Sequence, residues 1–76
     1  MPNPVSNYQA WVTKASHDSQ AVDSLLTASG QIPWDVVCFH AQQVAEKLLK
    51  AFLVYHGRPI EKTHDLVKLL ADAVAV

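Results

Sequence analysis

The sequence predicts an all-α protein, an antiparallel up-and-down helical bundle with three helices visible. Three observations carry this. Apolar residues recur at helical steps of three, four and seven in three separate stretches. No stretch alternates polar and apolar residues as a half-buried strand does. Glycine and proline stand only in the lead-in and in two breaks between the stretches.

The first helix follows a Pro-rich lead-in, residues 1–6, with Ser6 or Asn7 as its side-chain cap. Its apolar positions are Tyr8, Trp11, Val12, Ala15, Val22, Leu25 and Leu26. Asp18 interrupts that stripe, so it is expected to meet a polar group of the second helix: His40, Gln43 or Lys47. The segment "ASGQIP" ends the helix, with Gly30 suited to a left-handed cap. Pro33 then opens a second helix from Trp34 to Tyr55. Val37, Ala41, Val44, Leu48, Ala51, Phe52 and Tyr55 form one face, widened by Cys38, Ala45 and Leu49. Gln43, Glu46, Lys47 and Lys50 gather on the opposite side, with Glu46 and Lys50 in the favoured order for a modest pair. So wide an apolar arc suggests more than one neighbour: one is the first helix, with a second subunit as a candidate for another. After the loop "HGRPIEK", Thr63 is expected to cap the third helix, with Asp65 in its first turn. Leu66, Leu69, Leu70 and Ala73 give that helix its apolar side.

Seventy-six residues make one domain, 1–76, with one modest core. Half the residues are hydrophobic and 17% are charged, which excludes a disordered chain. A net charge of −1 supplies no basic field for non-specific nucleic-acid binding, though a small local RNA site stays open. The single cysteine, Cys38, fits a reducing compartment and is expected to be a buried, inert thiol. Neither a signal peptide nor an apolar run of bilayer length is visible, so the expected setting is cytoplasmic. The four histidines lack zinc-ligand spacing, and no Gly-rich phosphate loop is present, so no cofactor is expected.

Taken together, Trp11, Ala15, Asp18, "FHAQQVAEKLLKA" at 39–51 and "KTHDLVKLL" at 62–70 resemble the HEPN domain. The resemblance runs from Tyr8 to Leu70. It implies an α-helical bundle, commonly dimeric. Many members are encoded beside a minimal nucleotidyltransferase or fused to one, and many others are metal-independent ribonucleases carrying R-x(4–6)-H. The usual domain continues for one or two more helices, so this chain is expected to be a truncated bundle completed by dimerisation.

Against that family pattern, Arg58 and His64 satisfy the motif by spacing. A histidine can move protons at a ribose 2′-hydroxyl, and an arginine can stabilise phosphorane-like charge. The alternative is a solvated loop arginine and a first-turn histidine that organises the loop, and Pro59 after Arg58 departs from the active lineages. His40 and Asp18 read as structural polar residues. Gln43, Glu46, Lys47 and Lys50 are candidates for a partner- or nucleotide-binding face, or are an ordinary solvated face. Two functions follow. One is a binding module acting with a minimal nucleotidyltransferase, in a toxin–antitoxin pair. The other is a metal-independent endoribonuclease toxin using Arg58 and His64 across a homodimer.

Overall fold

The structure, a computed structural model, describes residues 4–60 and 63–76. Three helices follow one another: α1 (Pro4–Thr27), α2 (Trp34–Tyr55) and α3 (Leu66–Val74). Among the described residues there is no strand, and the chain is an all-helical bundle. The pairings of side chains make α1 and α2 antiparallel. Tyr8 meets Tyr55 edge-on, Lys50 lies over Trp11, and Asp18 bonds His40 and Lys47. Helix α3 packs on α2 and does not reach α1.

The helix ends explain the boundaries. Helix α1 begins at Pro4, earlier than the cap expected at Ser6 or Asn7, which lie inside the helix. Proline suits a first turn because its fixed φ is helical and its missing N–H leaves no orphan donor. Residues 1–3 of the expected lead-in lie outside the described residues. Helix α2 runs over the predicted span. The Pro33 carbonyl accepts from the N–H groups of Val36 and Val37, both at 3.1 Å, and Asp35 sits in the first turn against the positive dipole end. At its other end Gly57 takes φ +69°. There the Gly57 N–H donates to Val54 O at 3.0 Å and the Arg58 N–H donates to Leu53 O at 2.9 Å. These two bonds make a Schellman closure, and the positive φ is why glycine stands there.

Helix α3 corrects the expected cap. Its N-cap is Asp65, whose Oδ1 accepts from the N–H groups of Val67 at 3.0 Å and Lys68 at 3.2 Å. The Thr63 hydroxyl is occupied one step earlier, accepting from the Asp65 N–H at 3.0 Å. His64 therefore lies in the loop before α3 rather than in its first turn.

The molecule is a thin slab, 44 × 26 × 17 Å. Helices are about 10 Å across with their side chains, so 17 Å holds fewer than two full layers. The apolar core is correspondingly small. Among the described residues it consists of Ala15, Val37, Ala51, Leu53 and Leu69. Among the described residues twelve large apolar side chains remain exposed, so much apolar surface is left uncovered within one chain.

Replacing Asp65 with alanine is expected to cost about 1 kcal/mol, the usual worth of a lost N-cap. Thr63→Ala is expected to cost less. Urea denaturation of both variants checks this, and a larger loss from Thr63→Ala would return the cap to the threonine.

Candidate functional site

The inward row of α1 is Trp11, Ala15, Asp18, Val22 and Leu25, one residue per turn. Ala15 is 2% exposed, and its small side chain lets α2 come close. One turn further on, the Asp18 carboxylate enters the same interface and is itself buried. Two side chains of α2 meet it. His40 Nδ1 lies 2.8 Å from Oδ1, and Lys47 Nζ donates to Oδ2. An ionised carboxylate can only accept, so the His40 ring donates through Nδ1–H. His40 and Lys47 are two turns apart on α2 and straddle Asp18. These are two of the three partners to which the interrupted stripe pointed. The Lys47 hydrogen bond, then the His40 bond, hold the Asp18 carboxyl below the usual aspartate range, while burial pushes the other way.

The neighbouring residues of α2 continue this polar interior. Glu46 is buried, with its side chain 3% exposed, and its Oε1 lies 2.6 Å from His64 Nδ1. Lys50 is buried with its ammonium 5.1 Å from the centre of the Trp11 ring, and Lys14 reaches the same ring at 4.8 Å. Both are cation–π contacts. Gln43 is half-buried on the same side.

This arrangement overturns the expectation of an outward polar face. Gln43, Glu46, Lys47 and Lys50 point into the fold because α1 offers them Asp18 and Trp11, and the loop before α3 offers His64. Val37, Val44 and Ala51 turn inward with them. In the rest of the apolar arc Cys38, Ala41, Ala45, Leu48 and Phe52 are exposed, Leu49 is half-buried, and Tyr55, also exposed, leans on Tyr8 of α1. Cys38 is accordingly exposed, not the buried thiol expected from its position on the apolar arc.

Arg58 and His64 are not brought together within the described protomer. Arg58 is exposed and borders a 310 Å³ groove with Leu53, Pro59, Lys68, Asp72 and Ala75. His64 turns to Glu46 instead, with its side chain 84% exposed. Glu46 is the partner of His64 that spacing along the chain did not reveal. The signal available was indirect. A carboxylate in the inward row of α1 requires donors opposite it, and on α2 the lysines share a side with Glu46. Among the described residues, no three of histidine, cysteine, aspartate and glutamate cluster so as to hold a metal ion. Among them, too, no helix is long and apolar enough to cross a membrane.

These helices and the polar interior between them belong to a known class of helical domain. The chain matches the HEPN domain over residues 8–75 and is a member of that family. No curated protein and no solved structure matches the chain.

The Asp18 network has a pH signature. Its folded-state pKa lies below its unfolded value. The stability it contributes is therefore fully present above about pH 4 and is lost as pH falls through the lower folded value. Asp18→Asn is expected to cost about 2 kcal/mol near neutral pH, because it strands Lys47 and His40 without their acceptor. That difference from the parent should shrink below about pH 4. A difference that stays constant into acid would remove the network from the stability of the fold. Lys47→Ala should also cost about 2 kcal/mol, where an exposed lysine would cost less than about 1.

Proposed function

We propose that this HEPN domain is an interaction module. It pairs with a second copy of itself and acts beside a minimal nucleotidyltransferase in the cytoplasm, as one member of a toxin–antitoxin pair. The observation that supports self-pairing is the uncovered side of α2. Leu48 and Phe52 stand exposed on it, and Leu70 and Val74 extend the patch along α3. Between the two helices runs a groove of 610 Å³, lined by apolar side chains from Ala45 to Phe52 and from Leu66 to Val74. Contiguous exposed apolar surface of this kind is normally an interface. A second copy suits it because the patch presents no charge for a charged partner to match. The nucleotidyltransferase part of the reading is supported by family membership, not by a surface on this chain.

Sedimentation equilibrium at micromolar concentration tests the pairing. The parent is expected to sediment as a dimer, and Leu48→Glu as a folded monomer. A folded parent that stays monomeric across that range would sink the proposal. Mixing the chain with the nucleotidyltransferase encoded beside it, where one exists, tests the second part.

One observation favours a second reading. The exposed ring of His64 is held at Nδ1 by a buried carboxylate, an arrangement suited to proton transfer. In this reading the dimer is a metal-independent endoribonuclease, with His64 moving the proton and Arg58 stabilising the charge that develops on phosphate. Cleavage of single-stranded RNA in the presence of EDTA is then expected, leaving 2′,3′-cyclic phosphate ends. His64→Ala should abolish cleavage and Arg58→Ala should lower it. Cleavage that survives both changes, or none across varied RNAs, would remove this reading.

A further inference from the structure

We propose that Glu46 is the positioning residue of a proton-transfer pair, fixing the His64 imidazole as its Nδ1–H tautomer so that Nε2 is bare and faces solvent. The proposal rests on the ribonuclease reading for its substrate, and on its own geometry for the pair.

The two members differ sharply in exposure. Glu46 Oε1 and His64 Nδ1 are 2.6 Å apart, yet the Glu46 side chain is 3% exposed and the His64 side chain 84%. The acid comes from the middle of α2, whose backbone holds it rigidly, and the histidine comes from the loop ahead of α3. A carboxylate can only accept a hydrogen bond, so the imidazole donates through Nδ1–H. The neutral ring then carries its lone pair on Nε2. The tautomer of a histidine is set by the hydrogen bond its other nitrogen makes. With so much of the ring in solvent, a ribose can approach that lone pair.

The step this pair performs is balanced without a co-reactant. Nε2 takes the proton of a ribose 2′-hydroxyl. The 2′-oxygen forms a bond to the adjacent phosphorus, and the bond from phosphorus to the 5′-oxygen breaks. The departing 5′-oxygen takes a proton from water, leaving a 2′,3′-cyclic phosphate and a 5′-hydroxyl. Glu46 does not touch the RNA. It holds the ring in the productive tautomer and stabilises the imidazolium that forms, the role a buried carboxylate has beside the histidine of hydrolase triads.

Two measurements on the full chain separate this inference from the ribonuclease reading. The first is the ring tautomer of His64, read from ¹⁵N chemical shifts and long-range couplings at a pH where the ring is neutral. The parent is expected to show Nδ1–H. Glu46→Ala should lose that preference, and circular dichroism should show that it remains folded; if it unfolds, the isosteric Glu46→Gln replaces it and should give mixed tautomers. The second is RNA cleavage in EDTA. Glu46→Ala is expected to lower kcat about 10²-fold to 10⁴-fold, with KM little changed, as loss of a tautomer-fixing carboxylate does elsewhere. A parent tautomer of Nε2–H, or one that ignores the Glu46 substitution, overturns the pair even if RNA is cut. Cleavage that Glu46→Ala retains and His64→Ala loses overturns the role of Glu46 and keeps the ribonuclease. A fixed Nδ1–H tautomer with no cleavage overturns the catalytic use of the pair together with the ribonuclease reading.

Discussion

The carboxylate of Asp18, held between His40 and Lys47, fixes how α2 lies on α1. A buried carboxylate without donors costs several kcal/mol, so rotations of α2 that take both partners away are disfavoured. Turning α2 by half a revolution would set Asp18 against Ala45 and Leu49 and put Lys47 in water. Sliding α2 by one turn would leave one of the two oxygens unmet. Ala15, one turn before Asp18, permits the close approach these bonds need. The interaction thus sets both rotation and register, and every other placement on α2 follows from it.

The first consequence is that the polar side of α2 is its inside. Glu46 and Lys50 ride inward with Lys47, and each finds its own match: His64 for the acid, the Trp11 ring for the ammonium. The second consequence is a shortage of apolar burial. Turning the lysines in turns Leu48 and Phe52 out, and α3 covers only part of them. A slab 17 Å thick cannot hide them by itself. The polar network therefore gives α2 a defined seat and leaves an apolar face exposed, the face on which the proposed pairing with a second copy rests.

Much of the fold was legible in the sequence because its signals are local. The span of α2 followed from Pro33 at one end and Gly57 at the other, and the meeting of Asp18 with His40 and Lys47 followed from a break in the stripe of α1. The direction in which α2 faces was misread. Periodicity finds two sides of a helix but does not say which is buried, and the usual assumption places the apolar side inward. Asp18 already argued otherwise, since a carboxylate in the inward row needs cations across from it. The cap of α3 was misplaced by two residues because Thr63 and Asp65 are both good caps, and only the backbone decides which carries the helix. The bond between Glu46 and His64 was out of reach because it depends on where the loop returns, and no local pattern encodes that.

That loop also constrains any chemistry. Its first end is clamped at Arg58, whose N–H donates to Leu53 O in the Schellman closure, and its far end is clamped where His64 meets Glu46. Both anchors are on α2, on the same side, seven residues and so about 10 Å apart along the axis. Asp65 caps α3 immediately afterwards, so the backbone next to His64 is held as well. The first clamp acts on the Arg58 backbone alone and leaves the direction of the arginine side chain open. Under the ribonuclease reading, joint action takes one of two arrangements: an RNA phosphate held between the two side chains of one protomer, or the arginine of one copy meeting the histidine of another. The second arrangement needs the copies joined close to the loop, whereas the apolar patch on α2 runs from Leu48 to Phe52 and reaches the helix end from which Arg58 emerges. Under the proposed pairing that helix end lies at the edge of the shared patch, and the geometry of the pair then sets whether Arg58 of one copy and His64 of the other can share a substrate.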